Sequence, residues 1–219
     1  MFEIQNYTAF MPLYQTIQPN LNTKIYLWKI TETEEDLLQG LELTNHSTTR
    51  LDGMKSESHR KGFLAVRKIL KHIGLEDKDL VYSQDGKPHL SIPKNVSITH
   101  SFDFSVVAIS DQKIGIDLEW SRDKVTQLAH RFCSEHFVPK QYDAIQTAQM
   151  YTIIWGTKEV VFKIENHKGI SFKDHIFAKP FDLDSNEVEV SLQFYEQPKN
   201  YLLQFALVEK YVLVWGWEA

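Results

Sequence analysis

Cysteine is nearly missing from the 219 residues; Cys133 is the single one. A lone thiol can form no disulfide within the chain and no thiolate metal cluster. Between Phe132 and Ser134 it reads as a small buried hydrophobe ahead of a nucleophile. Proline and glycine are sparse, with 7 and 9 residues, and no Pro/Gly-rich or low-complexity stretch separates independent domains. No uninterrupted apolar run is long enough to span a bilayer. The opening MFEIQNYTAFMPLY has an early acid and no cationic start before an apolar run, so it does not read as a signal peptide. The cytoplasm is the expected compartment, with no membrane partner. Basic residues are outnumbered, 24 Lys and Arg against 29 Asp and Glu, for a formal charge of -5. A nucleic-acid binder needs a basic face, so that class is disfavoured. A local basic pocket for one phosphorylated ligand stays open.

What is present can build a core: 42% of residues are hydrophobic and 24% charged, the balance of an ordinary globular protein. TKIYLWKI (23–30) reads as a strand and the acid-rich 31–43 as a helix. In 56–74, Phe63, Val66, Leu70 and Ile73 recur at helical spacing and Gly74 stops the helix. LVYSQ (80–84) is strand-like, Asp85-Gly86 a turn, and 95–110 two strands with a short break. KIGIDLEW (113–120) is again a strand, followed by helical material over 122–147 and a long helix over 149–165. Segments 188–196 and 201–217 supply closing antiparallel strands. KHIGLEDKDLVY (71–82) and NHKGISFKDHIFA (166–178) share one order of helix end, glycine, apolar residue, polar turn and strand. The expected fold class is therefore α+β, a duplicated unit of two similar lobes, residues 1–111 and 112–219, joined near 110–113 and packed together.

Alternation in 113–120 puts Asp117 and Glu119 on one strand face and Ile116, Leu118 and Trp120 on the other. Two carboxylates one repeat apart suit a hard divalent cation such as magnesium, which takes a few carboxylates and completes its shell with water and phosphate. Unpaired, they repel; a shared cation removes that penalty. A solvated strand face bearing two acids is the plainer alternative. Glu159 and Lys163 stand at i,i+4 on the 149–165 helix, where a surface ion bridge is the usual reason. That helix is otherwise apolar, with Ile153, Ile154, Trp155, Val160, Val161, Phe162 and Ile164, so the charged pair needs a cleft to reach water.

Four blocks, Gly86-Lys87-Pro88, Ile98-Thr99-His100-Ser101, Ile114 through Glu119, and Trp155 through Lys163, together resemble the 4'-phosphopantetheinyl transferase superfamily. The likeness is to its longer, two-lobed, coenzyme A-dependent members and is clearest over residues 56–171. It implies two α/β lobes related by a pseudo-twofold axis with coenzyme A in the cleft between them. It also implies magnesium held by Asp117, Glu119 and Glu159. Lys163 would contact the phosphates with Lys158 assisting, and Lys87, Thr99 and His100 would hold the nucleotide end. Taken without the resemblance, Lys87 is an ordinary hairpin cation, Lys158 a solvated one, and His100 a satisfied structural histidine. Arg60, Lys61 and Arg67 are further candidates for coenzyme A contacts, though the family pattern does not align cleanly there; solvated helix cations are the alternative for at least two. Thr99 stands where many relatives have serine, keeping the hydroxyl. Val160 stands where Ala or Ser is usual, and Gly156 adds a helical glycine that costs about 1 kcal/mol.

The resemblance implies transfer of 4'-phosphopantetheine from coenzyme A to a serine of an apo acyl or peptidyl carrier protein, releasing adenosine 3',5'-bisphosphate. Glu159, or a metal-bound water polarised by Asp117, would take the serine proton. With both lobes in one chain, no second copy is needed to complete the cleft, so a monomer is expected. The bare residues also fit a metal-dependent phosphodiesterase or nuclease. A non-catalytic protein that binds coenzyme A or a carrier is a third reading; retention of three acids and Lys163 argues against it.

Overall fold

The computed structural model describes residues 13–134 and 142–218. Part of the expected 122–147 helix and all but the last two residues of the opening segment weighed as a leader lie outside these residues. The described chain is a mixed α+β fold with three sheets and several helices. It begins with the hairpin β1 (Leu13–Asn20) and β2 (Thr23–Lys29), then α1 (Glu34–Leu38), α2 (Asn45–Asp52) and α3 (Glu57–His72). The short strands β3 (Leu80–Tyr82) and β4 (Pro88–Leu90) pair with each other, and the hairpin β5 (Asn95–Ser101) and β6 (Phe104–Ser110) follows. After β7 (Ile114–Trp120) come α4 (Lys124–Leu128), α5 (Ala144–Glu165) and α6 (Phe172–His175). The chain closes with β8 (Ile176–Ala178), β9 (Glu187–Leu192), β10 (Lys199–Val208) and β11 (Tyr211–Glu218).

Sheet orders are β1-β2-β6-β5 and β7-β11-β10-β9-β8, antiparallel throughout. The layers stack as α3, first sheet, second sheet, α5. On the outer side of the first sheet, Phe63, Val66, Ile69 and Leu70 of α3 bury against Trp28, Val96 and Val107. Between the sheets, Ile25, Leu27, Val106 and Ala108 face Ile116, Leu118, Leu213 and Trp215. Outside the second sheet, Ile153, Val160, Val161 and Ile164 of α5 cover Val188, Val190, Leu203, Val212 and Val214. Strand β11 thus feeds one core with odd positions and the other with even ones, the period-two alternation of a strand covered on both faces. Each fully buried aliphatic side chain contributes about 1.5–3 kcal/mol of transfer free energy.

Helix starts follow their caps. Ser56 accepts from the His59 N–H at α3, and Asp143 accepts from the Gln146 N–H at α5, where the Gln146 side chain returns a bond. That capping box starts α5 at Ala144, five residues before the expected 149. It ends with Asn166 in the left-handed region, φ 54°, so the stop is Asn166 and not Gly169. Helix α1 is shorter than the expected 31–43 because Gly40 turns left-handed at φ 70°. The polar α2 and the strand β1 were not expected.

The strand carrying Asp117 and Glu119 lies at an edge of its sheet, against the edge strand β5 of the other. Ser97 Oγ accepts from the Ile116 N–H at 3.1 Å and Thr99 Oγ1 from the Leu118 N–H at 3.2 Å, satisfying the open edge of β7. Across β7, the α5 backbone approaches so closely that a Cβ on Gly115 would sit 2.4 Å from the Val160 carbonyl oxygen. A Cβ on Gly156 would meet Val214 Cγ2 at 2.7 Å. Gly115 lets the acid-bearing strand and the Glu159 helix touch, and Gly156 lets the same helix lie on β11. Gly115→Ala is expected to destabilise the protein by about 3 kcal/mol or more, because the clash is with backbone and cannot relax by a rotamer change. Urea unfolding measures it, and a midpoint equal to the parent's refutes the tight contact.

Candidate functional site

Asp117 points from β7 toward α5 and is only 4% exposed. Its Oδ1 accepts from Lys163 Nζ at 2.8 Å and from the Thr99 hydroxyl at 3.3 Å. Its Oδ2 is buried and has no hydrogen-bond partner. Lys163 also donates to the Ile116 carbonyl at 2.8 Å, which uses two of its three N–H bonds. Lys163 thus reaches across to the strand, in place of the i,i+4 surface bridge to Glu159 that is the usual reason for such spacing.

Glu119 and Glu159 sit half-buried in the wall of one cavity, of about 700 Å³, together with Trp155, Phe132 and Phe172. Burial pushes the Glu119 carboxyl up to about 7, and the charge of Asp117 adds to the shift; the Trp155 indole, which donates to Glu119 Oε1 at 3.3 Å, opposes it. Burial and then Asp117 raise Glu159 as well, against the pull of Lys163. The three acids feel one another through a poorly hydrated medium, which makes full ionisation costly. Among the described residues no three acidic, histidine or cysteine side chains are grouped closely enough to hold a metal ion as they stand. Their chemistry nonetheless fits one. An orphaned buried carboxylate oxygen and two neighbours with suppressed ionisation form an all-oxygen donor set whose repulsion a hard cation would relieve.

A second cavity, about 320 Å³, is lined by Lys163, Lys87, Thr99 and His100, with Arg50, His59, Tyr82 and Asn166. It lies where α3 and the β3–β4 hairpin face α5. Lys87 donates to the Ile164 carbonyl at 3.3 Å, and burial, followed by repulsion from Lys113, lowers its pKa. A desolvated ammonium of this kind gains from an incoming anion. His100 stacks on His59 with ring centroids 5.4 Å apart and planes 12° apart. Asn166 on the α5 cap donates to Asp85 of the hairpin, tying the two walls together.

Thus Glu119 and Glu159 line the larger cavity and Lys163, Lys87, Thr99 and His100 the smaller, while the buried Asp117 is bonded to Lys163 and Thr99 of the smaller one. Lys158 and Arg60 are not. Lys158 is fully buried, donating to the Phe172 carbonyl at 3.0 Å and to that of Ile176, so it fastens α5 to α6 and β8. Arg60 is held by Glu34 and the Leu51 carbonyl, away from both cavities. Arg67 does line the smaller cavity, but it is 2% exposed and paired with Asp77 at 2.9 Å in a buried network with Ser47; Lys61 pairs with Glu57. Arg50 and His59 were missed. Arg50 lies on the polar α2, whose NHSTTRLD has no apolar period to reveal it. His59 shows itself only by stacking on a residue 41 positions away (100 − 59).

Cys133 is buried, as expected. No helix of the described residues is long and apolar enough to cross a membrane. No protein-family model matches the chain, and no curated protein sequence matches it.

Proposed function

We propose that the protein is a magnesium-dependent 4'-phosphopantetheinyl transferase that moves the phosphopantetheine arm of coenzyme A to a serine of an apo carrier protein. The observation that carries this reading is the buried, unpartnered Oδ2 of Asp117 beside two carboxyls whose ionisation is suppressed by burial and then by Asp117, with Lys163 joining Asp117 to a cation-lined cavity. The strand orders support a duplicated architecture with lobes 1–111 and 112–219. In each large sheet, the strand before the long helix pairs with the last strand of its half, and that strand pairs with the one preceding it.

Asp117, Glu119 and Glu159 would hold magnesium, which when bound neutralises the diphosphate of the donor. Lys87, Thr99 and His100 would bind the nucleotide end in the smaller cavity. Thr99 also keeps Asp117 in place through its hydroxyl. The acceptor serine oxygen bonds to the phosphorus attached to pantetheine, and the bond from that phosphorus to the bridging diphosphate oxygen breaks. Adenosine 3',5'-bisphosphate leaves with the electron pair. Glu159 accepts the serine proton. Lys163 offsets charge on the departing phosphate. The work is alignment and charge neutralisation, as phosphoryl transfer requires.

Mass spectrometry of apo carrier proteins incubated with coenzyme A and magnesium tests the reading. A gain of about 340 Da on one serine is expected from the composition of the arm. Hydrolysis of coenzyme A with no mass gain on any carrier would instead indicate a phosphodiesterase. Lys163→Ala should lower kcat by about a hundredfold to a thousandfold, because its charge acts on the transition state. A parental kcat at saturating coenzyme A removes Lys163 from the chemistry.

A further inference from the structure

Helix α2 buries little apolar surface of its own. Of its eight residues, NHSTTRLD, only Ser47 and Leu51 are buried. Its anchor is Asp77, 6% exposed, in the short turn Asp77–Asp79 between α3 and β3. The Asp77 Oδ2 accepts from the Thr44 N–H at 2.8 Å and from the Thr44 hydroxyl at 2.9 Å. Its Oδ1 accepts from the Ser47 hydroxyl and from Arg67 Nε, both at 2.9 Å. Thr44 is also the cap of α2, its hydroxyl accepting from the Ser47 N–H at 3.2 Å. Burial pushes the Asp77 carboxyl up, but these donors outweigh burial and hold it below the ordinary carboxylate range.

Arg50 follows Ser47 by three residues, so the two stand on one face of α2. The Arg50 guanidinium lies 4.3 Å from the Tyr82 ring and 5.8 Å from that of Phe63, in the lining of the smaller cavity. Asp85 is the acid in that lining, and Ser83 and Asn166 already donate to it, which leaves the charge of Arg50 for an incoming anion. Arg67 lines the same cavity but spends its donors on Asp77, Ser47 and the Phe63 carbonyl. A buried ion pair seldom stabilises a fold more than apolar residues of the same volume would. Here the carboxylate gathers its donors from the start of a helix whose rotation packing alone leaves loosely set.

We infer that Asp77 is a positioning residue. Through Thr44 and Ser47 it sets the rotation of α2 and keeps Arg50 in the wall of the smaller cavity, where the guanidinium meets the anionic nucleotide end of the donor. The inference rests on the transferase reading for the identity of that anion.

Ser47→Ala, Arg50→Ala and the double variant test it, with adenosine 3',5'-bisphosphate as the calorimetric probe. Ser47→Ala leaves the Arg67–Asp77 pair intact, so it should melt only about 2–4 °C below the parent. Arg50→Ala should raise the dissociation constant about tenfold or more, the loss of a charge-assisted hydrogen bond. Ser47→Ala should raise it about threefold to tenfold, because the guanidinium is no longer held in register. In the Arg50→Ala background the same change should alter it by less than about twofold, since no guanidinium is left to misplace. The KM for coenzyme A should follow the dissociation constant, with kcat within about twofold of the parent throughout, because the reacting groups are untouched. Asp77→Asn should weaken binding at least as much as Ser47→Ala. Since it also leaves Arg67 without its counter-charge, Ser47→Ala is the deciding variant. A parental dissociation constant for Ser47→Ala, or an equal loss with and without Arg50, overturns the positioning role and leaves the transferase reading standing. A parent that binds the probe but modifies no carrier protein overturns the transferase reading alone. One that does neither overturns both.

Discussion

Asp117→Asn should reduce transfer by about a thousandfold or more while leaving the protein folded, the loss expected when a charge that stabilises the reaction is removed. Asp117 carries the most buried charge of the three acids. Its Oδ1 holds Lys163 and Thr99, and its Oδ2 faces no protein donor. An asparagine of the same shape keeps the packing against α5 but removes a negative charge that a cation would need. The fold should tolerate this. Lys163 retains the Ile116 carbonyl and is 27% exposed, so it does not become an unpaired charge in the core. Glu119 and Glu159, relieved of Asp117, ionise more readily. Metal-free stability should therefore change by no more than about 1 kcal/mol. Circular dichroism and thermal melts check the fold, and the carrier mass shift checks the transfer. An asparagine variant with the parental rate at saturating magnesium would sink the metal-site assignment.

Glu119→Gln should change how stability and magnesium use respond to pH. The folded carboxyl is raised from 4.5 to about 7, chiefly by burial and then by Asp117. Since the folded state binds this proton more tightly than the unfolded chain, the stabilisation is complete below pH 4.5 and is lost as pH rises through 7. Without metal, the parent should lose about 2–3 kcal/mol over that window from this group alone. The glutamine variant has no proton to lose, so it should match the parent near pH 4.5 and melt higher at pH 8. Magnesium at pH 8 should stabilise the parent and not the variant, closing the gap. Because the cation needs the ionised carboxyl, the parent's KM for magnesium should rise about tenfold from pH 8 to pH 6. Melts at the two pH values, with and without magnesium, test this. A gap between variant and parent that is the same at both would show that Glu119 does not titrate in this range.

Much of the site was readable because it lies on elements whose periods are strong. Alternation in IGIDLEW places Asp117 and Glu119 opposite Ile116 and Leu118, and the structure buries the latter pair between the sheets. The apolar α5 announces itself in the same way. Lys158 was misjudged because a helix apolar on nearly all sides gives no angular clue to which charged residue turns inward. Its four-carbon stem packs like a hydrophobe while its ammonium finds the carbonyls of Phe172 and Ile176. Arg60 was misjudged because Glu34, the residue that captures it, lies 26 positions away on a helix whose register only packing sets.

The amino-acid order by itself determined which residues could be acids on a strand face and where the strongly periodic helices and strands would form. Those properties follow from backbone preference and local spacing, which act over a few residues. Folding in three dimensions decided that Gly115 lets β7, and Gly156 lets β11, lie against α5, that Lys163 answers Asp117 rather than Glu159, and that Trp120 meets both Phe102 and Lys210. Such pairings depend on which faces of distant segments can be covered together. That is a balance of burial, desolvation and charge which no short window of residues contains.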